Sequence, residues 1–157
     1  MSYRPFVIVV VFLLLFGCDR YPVDPEGSLD HISDANLHVG IVHNPPFVRI
    51  NENDTSGLEV DLVRTYAKEK NAKIIWIAES ESSLVERLKN YEIHILISGL
   101  TTTSPLSKEV GSTSAYYRKH IVALPRGENA FLCDFQSYLN SQEEFIKDFM
   151  LTHGRKK

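Results

Sequence analysis

The chain has 157 residues, with 17 lysines and arginines against 20 aspartates and glutamates, a formal charge of −3 at neutral pH. That balance leaves no basic surface of the kind that neutralises phosphates, which excludes a nucleic-acid partner. The length suffices for one domain with one core and falls short of two of ordinary size.

Residues 1–17 read as a targeting segment. Arg4 supplies a basic start, residues 6–16 are eleven apolar residues in a row, and the small Gly17 follows. A membrane-spanning helix needs roughly 18 or more apolar residues, so this run is a signal h-region and is excluded from the fold. The string Leu15-Phe16-Gly17-Cys18 resembles the lipobox of bacterial lipoproteins. The resemblance implies that Cys18 carries palmitate-type acylation, becomes the first mature residue and holds the chain to the periplasmic side of the cell membrane. Asp19 is similar to the signal that retains some lipoproteins at the inner membrane. Without residues 1–17 the formal charge is −4. With Cys18 acylated, Cys133 has no partner in the chain for a disulfide and reads as a small helix residue.

From Cys18 to residue 35 the sequence is polar and broken by Pro22, Pro25 and Gly27, which predicts a flexible tether. A domain over 36–154 follows. Residues 37–43 suit a buried strand, stopped by Asn44-Pro45-Pro46, and 51–57 form a turn. Leu58, Leu62, Val63, Tyr66 and Ala67 recur at helical spacing and predict a helix over 58–70. Ile74-Ile75-Trp76-Ile77 reads as a second buried strand. Ser83 and Glu86 have capping-box spacing for a helix to Lys89, and 93–97 is a third strand. Ser104-Pro105 suits a further helix start, and 119–124 a further strand. Phe131, Leu132, Phe135, Tyr138 and Leu139 line one helical face. A second capping box at Ser141 and Glu144 opens a last helix ending near Gly154. Arg155-Lys156-Lys157 is a basic tail. The alternation of strand and helix predicts an α/β domain with a mostly parallel central sheet flanked by helices.

Four strings then stand in order: Val39-Gly40-Ile41 leading to Pro45-Pro46-Phe47, Gly57-Leu58-Glu59-Val60-Asp61-Leu62, Ser98-Gly99-Leu100-Thr101-Thr102-Thr103, and Ser114-Ala115-Tyr116-Tyr117. Together they resemble the first lobe of family 3 of the bacterial extracellular solute-binding proteins, which deliver amino acids and similar molecules to ABC importers. The resemblance implies a three-layer periplasmic-binding-protein-like single lobe. It implies that Phe47 lies at the lip of a cleft, and that Ser98, Gly99, Thr101 and Thr103 contact the amino and carboxylate groups of a ligand. A plainer reading stands beside it: Thr103 and Ser104 cap a helix, Phe47 covers the core and Gly99 permits close packing.

The chain departs from the family in four ways. Where amino-acid-binding members carry an arginine that grips the ligand carboxylate, three residues after Thr103, it has Leu106. Residues 79–83 lack the aromatic residue that many members stack on the ligand. His94 replaces a common aspartate and reads as a strand residue. A second lobe is also absent between the 114–124 segment and the closing helix. Two functions therefore stay open. One is a tethered binding module for a small polar solute, acting with an ABC permease or a sensor, with a second copy of the chain as a candidate other wall. The alternative is a non-transporting adaptor or regulatory lobe that acts through protein partners. No motif of an enzyme is present: there is no phosphate loop, no Gly-x-Ser-x-Gly elbow and no His-Glu-x-x-His helix. Glu59 and Asp61 read as a solvated face, and the six histidines show no metal-ligand spacing. The expectation is no catalysis, no cofactor and no metal.

Overall fold

The computed structural model describes residues 22–32, 35–52 and 54–154. The stretch expected to be a signal segment, Cys18 and the basic tail lie outside the described residues. A five-stranded sheet has the order β4 (Lys73–Ala78), β1 (Asn36–Ile41), β5 (Ile95–Ile97), β7 (Ala123–Leu124), β6 (Gly111–Ser112). β1 pairs in parallel with β4 on one side and with β5 on the other. Two short strands, β7 and β6, add antiparallel pairing beyond β5. The parallel register covers six positions with β4 and three with β5, so the sheet is parallel over most of its paired length. A separate ribbon joins β2 (Arg49–Ile50) to β3 (Thr55–Ser56).

Strand periodicity sends successive side chains to opposite faces. Leu37, Val39, Ile41, Ile95 and Ile97 face a core shared with α1 (Ser28–Ile32), α2 (Leu58–Glu69), α4 (Asn129–Ser141) and α5 (Glu143–His153). Leu96 and Ala123 face the other side, where Leu84, Val85 and Leu88 of α3 (Glu81–Lys89) cover them. Gly40 belongs to this second side, because a Cβ there would lie 2.8 Å from Ile93 and 2.9 Å from Leu84. Helix on sheet on helix gives the three layers.

The stripe expected on α2 is buried as read, and Tyr66 sits edge-on to Phe135 of α4 at 4.8 Å between ring centres. Several boundaries moved for local reasons. α3 starts two residues before Ser83, since Ser80 is the cap that accepts from the Ser83 amide, while the Ser83 hydroxyl donates to Glu79. No side chain caps α5, because the Ser141 hydroxyl donates back to the Tyr138 carbonyl at 2.6 Å. After Ser104 there is only a 3-10 turn, Pro105–Lys108. The strand expected over 119–124 shrinks to two residues, since Ile121 donates to Leu100 and Thr102 donates to Lys119, which draws this segment to the 98–103 loop. β4 is an edge strand and leaves Ile75 36% exposed.

The tether is the largest correction to the expected organisation. Residues 24–32 are folded onto the lobe. Asp24 accepts from the Leu29 amide, and from the Ala130 and Phe131 amides at the start of α4. Glu128, 1% exposed, accepts from the Glu26 and Ser28 amides in return. Helix starts leave free amides that attract acidic groups, so two carboxylates bind two chain segments together. Ile32 is fully buried as a result.

Candidate functional site

Parallel strands β1, β4 and β5 all end at one edge of the sheet, and the loops that leave them there form the candidate site. The 45–47 turn follows β1, and the 98–103 loop follows β5. Gly99 has φ +65, a conformation that favours glycine, and its amide donates to Glu59 at 2.9 Å. The Tyr116 hydroxyl donates to the other oxygen of Glu59 at 2.6 Å. Glu59, on the first turn of α2, is 1% exposed. The expectation that it belongs to a solvated face is overturned: the acid sits inside and ties three segments of chain together. Asp61, two residues on, is half-buried.

Burial, opposed by the bonds from Tyr116 and the loop amides, raises the Glu59 carboxyl from 4.5 to about 7. Burial and the Glu59 charge push the Tyr116 hydroxyl well above its ordinary value. The tyrosine therefore keeps its proton and donates it to the acid. His120, from the turn after Tyr117, lays its ring against Phe47 at 4.0 Å between centres, and its Nδ1 lies 3.2 Å from the Gly99 carbonyl. Burial holds its pKa below the ordinary histidine value.

The loop positions named from the sequence divide into two groups. Phe47 is 7% exposed and Ser98 5%; the Ser98 hydroxyl donates to Glu81 at 3.1 Å and its carbonyl accepts from Asn44 at 2.7 Å. With the Gly99 amide bonded to Glu59, these three positions build the loop's inner wall. Thr101 and Thr103 face outward with hydroxyl oxygens 3.1 Å apart. Leu106 is half-buried and packs against the core cluster that includes α3. His94 is half-buried and its Nδ1 accepts from the His38 amide at 3.0 Å. Cys133 lies exposed on α4.

Glu59, Tyr116 and His120 were missed as site residues. The signal for Glu59 was present in the run Leu58-Glu59-Val60, an acid flanked by two core residues. Gly99→Ala tests the loop: alanine in the left-handed region costs about 1–2 kcal/mol, and its Cβ would lie 2.6 Å from the Asn44 amide nitrogen. A thermal melt several degrees below wild type is the expected outcome; an unchanged melt would mean the loop is not held.

Among the described residues no group of three or more histidine, cysteine or acidic side chains is placed to hold a metal, and no helix is long and apolar enough to cross a membrane.

Residues 37–153 match the model of the bacterial extracellular solute-binding proteins, family 3. Membrane-bound lytic murein transglycosylase F of Vibrio cholerae is 35% identical over 138 residues, 87% of this chain and 26% of that protein. ABC transporter arginine-binding protein 1 of Escherichia coli is 30% identical over 83 residues, 52% of this chain and 34% of that protein. The chain thus spans about a quarter of the first relative and a third of the second. Two solved structures share the fold. The arginine-bound form of domain 1 from TmArgBP has a TM-score of 0.63 at 22% identity, covering 76% of this chain and 99% of that one. The ancestral amino acid-binding protein AncCDT-1, a precursor of cyclohexadienyl dehydratase, has a TM-score of 0.71 at 14% identity, covering 80% and 98%.

Proposed function

Because the chain belongs to family 3 of the bacterial extracellular solute-binding proteins, we propose that it is a lipid-anchored single-lobe receptor for a small polar solute such as an amino acid. The observation that carries this reading is the Glu59 lock. It holds the 98–103 loop in one shape and presents the Thr101 and Thr103 hydroxyls at the sheet edge beside Phe47 and His120. A rigid polar face needs little ordering when a ligand arrives, which favours binding. The arginine-bound domain 1 of TmArgBP is a precedent for a ligand on one lobe of this fold. The lobe hands its solute to an ABC permease or a sensor and performs no chemistry itself, and a second copy facing the loop would complete the enclosure.

Cys18 supplies the anchor. From Cys18 to Asp24 there are six peptide links, which reach at most roughly 22 Å. Asp24 is bonded at the start of α4, near where β1 begins, and the 98–103 loop lies at the opposite ends of the parallel strands. The ligand face then points away from the bilayer. Cys18→Ser is expected to move the protein from the membrane fraction to the soluble periplasmic fraction; continued sedimentation with membranes would sink the lipid anchor.

The adaptor reading has its own support. The transglycosylase match runs over 87% of this chain, against 52% for the arginine-binding protein, and Leu106 replaces the carboxylate-gripping arginine. One screen separates the two: thermal unfolding with amino acids, small carboxylates, amines, peptides and muropeptides. A ligand at a hundred times its dissociation constant adds about 2.7 kcal/mol to the native state. A saturable shift, lost in Thr101→Ala or Thr103→Ala, is expected of the receptor. No shift at millimolar concentrations would favour the adaptor.

A further inference from the structure

The 45–47 turn has a second side. The Phe47 ring packs toward Gly99 and His120, whereas the Phe47 and Pro46 carbonyls face Gly57 at the start of α2. Beyond Gly57 opens a cavity of about 650 Å³ between this turn, the β2–β3 ribbon, the first turn of α2 and the end of α5. Its size is within the usual range for small-molecule sites. Pro46 and Phe149 supply apolar walls, and Thr152 a hydroxyl.

Its charged groups stand on different elements. Arg49, on β2, is exposed, and among the described residues it has no carboxylate within ion-pair distance. Asp61, on α2, has Arg64 3.9 Å away as a loose partner. Burial raises its pKa, against the pull of Arg64 and the smaller pull of His153. The His153 ring stacks on Phe149 at 4.3 Å, with Nδ1 lying 3.2 Å from the Phe149 carbonyl, so Nε2 is the nitrogen left for a ligand. A cavity with an unpaired guanidinium on one wall and a weakly paired carboxylate on another complements a molecule that carries both charges, joined by a short apolar stretch. A guanidinium binds carboxylate through two parallel bonds, which favours a carboxylate terminus over a point anion.

We propose that this cavity is a second binding site, separate from the Thr101–Thr103 face, for a short zwitterionic peptide whose carboxylate pairs with Arg49 and whose ammonium pairs with Asp61. The site does not depend on solute binding at the 98–103 loop.

The test is calorimetric titration of the intact acylated protein, in detergent micelles, with trialanine, N-acetyl-trialanine and trialanine amide. Trialanine is expected to bind saturably. Loss of one charge-assisted contact corresponds to about tenfold or more in affinity, so each blocked peptide should bind at least that much more weakly, as should trialanine to Arg49→Gln and Asp61→Asn. Circular dichroism establishes that both variants fold, and the two charges are tested independently, so one failed variant leaves the other as the test. Thr101→Ala should leave the affinity unchanged. The proposal is overturned by no saturable heat at millimolar trialanine, by blocked peptides that bind as well as the free one, or by affinity lost in Thr101→Ala and kept in Arg49→Gln.

Discussion

Replacing Glu59 with alanine is expected to cost about 2–5 kcal/mol of stability, enough to lower the melting temperature of a domain this size by on the order of 10 °C. The side chain accepts from the Gly99 amide and the Tyr116 hydroxyl and is 1% exposed, so solvent does not reach it. Removal strands both donors in a core that can neither hydrate them nor collapse around them. Glu59→Gln keeps one acceptor oxygen and should cost markedly less. A melt of Glu59→Ala within a degree or two of wild type would mean that the lock does not hold the fold.

The same residue makes stability depend on pH. Its carboxyl titrates near 7 in the fold and near 4.5 in the unfolded chain. Between these values the folded state keeps a proton that the unfolded chain has released. The stability this group contributes is therefore complete below pH 4.5 and is lost as pH rises through 7, by about 3 kcal/mol across the window. His94 acts in the opposite sense. Burial, with the smaller effects of His38 and His31, holds its ring at about 4 against 6.5 unfolded, so its contribution is lost as pH falls through that range. Glu59→Gln removes the first dependence and leaves the second. Denaturant unfolding at pH 5, 6, 7 and 8 should show the variant gaining on wild type as pH rises. Parallel curves would mean that Glu59 does not titrate in this window.

Asp24→Ala is expected to cost about 2–4 kcal/mol, the sum of two lost helix caps. The carboxylate serves Leu29 on α1 and Ala130 and Phe131 on α4, at 2.7 to 3.1 Å. Without it, residues 24–32 lose their hold, and exposing the fully buried Ile32 adds up to about 1.5–3 kcal/mol. Amide exchange should accelerate first at 28–32 and 130–131, ahead of the sheet. Asp24→Asn, which keeps one acceptor oxygen, should fall between the two. If exchange at these amides is unchanged in Asp24→Ala, the segment is held by apolar packing alone.

Much of the lobe was legible from local pattern. The runs at Val39-Gly40-Ile41 and Ile95-Leu96-Ile97 dictate strands covered on both faces. The stripe from Leu58 to Ala67 dictates a helix with a buried side, and the order of these elements, with four short strings, points to the family that residues 37–153 match. Such signals are carried by neighbours within a turn or a strand pair, so one sequence suffices to read them. Strand ends were less legible, because whether residues 119–122 stay in the sheet depends on the loop they bond to. Polar partnership was least legible of all. Glu59 reads as solvent-facing by type and Asp24 as part of a polar tether, and Glu128 carries no local signal at all. Their partners lie 40, 57 and about 100 residues away. Layers, apolar faces and family follow from side-chain type and spacing, because burial does. Which acids lie inside, that residues 24–32 dock on the lobe, and that Thr101 and Thr103 alone of the five named positions face outward depend on long-range packing, because a buried charge is tolerable only where distant donors converge on it.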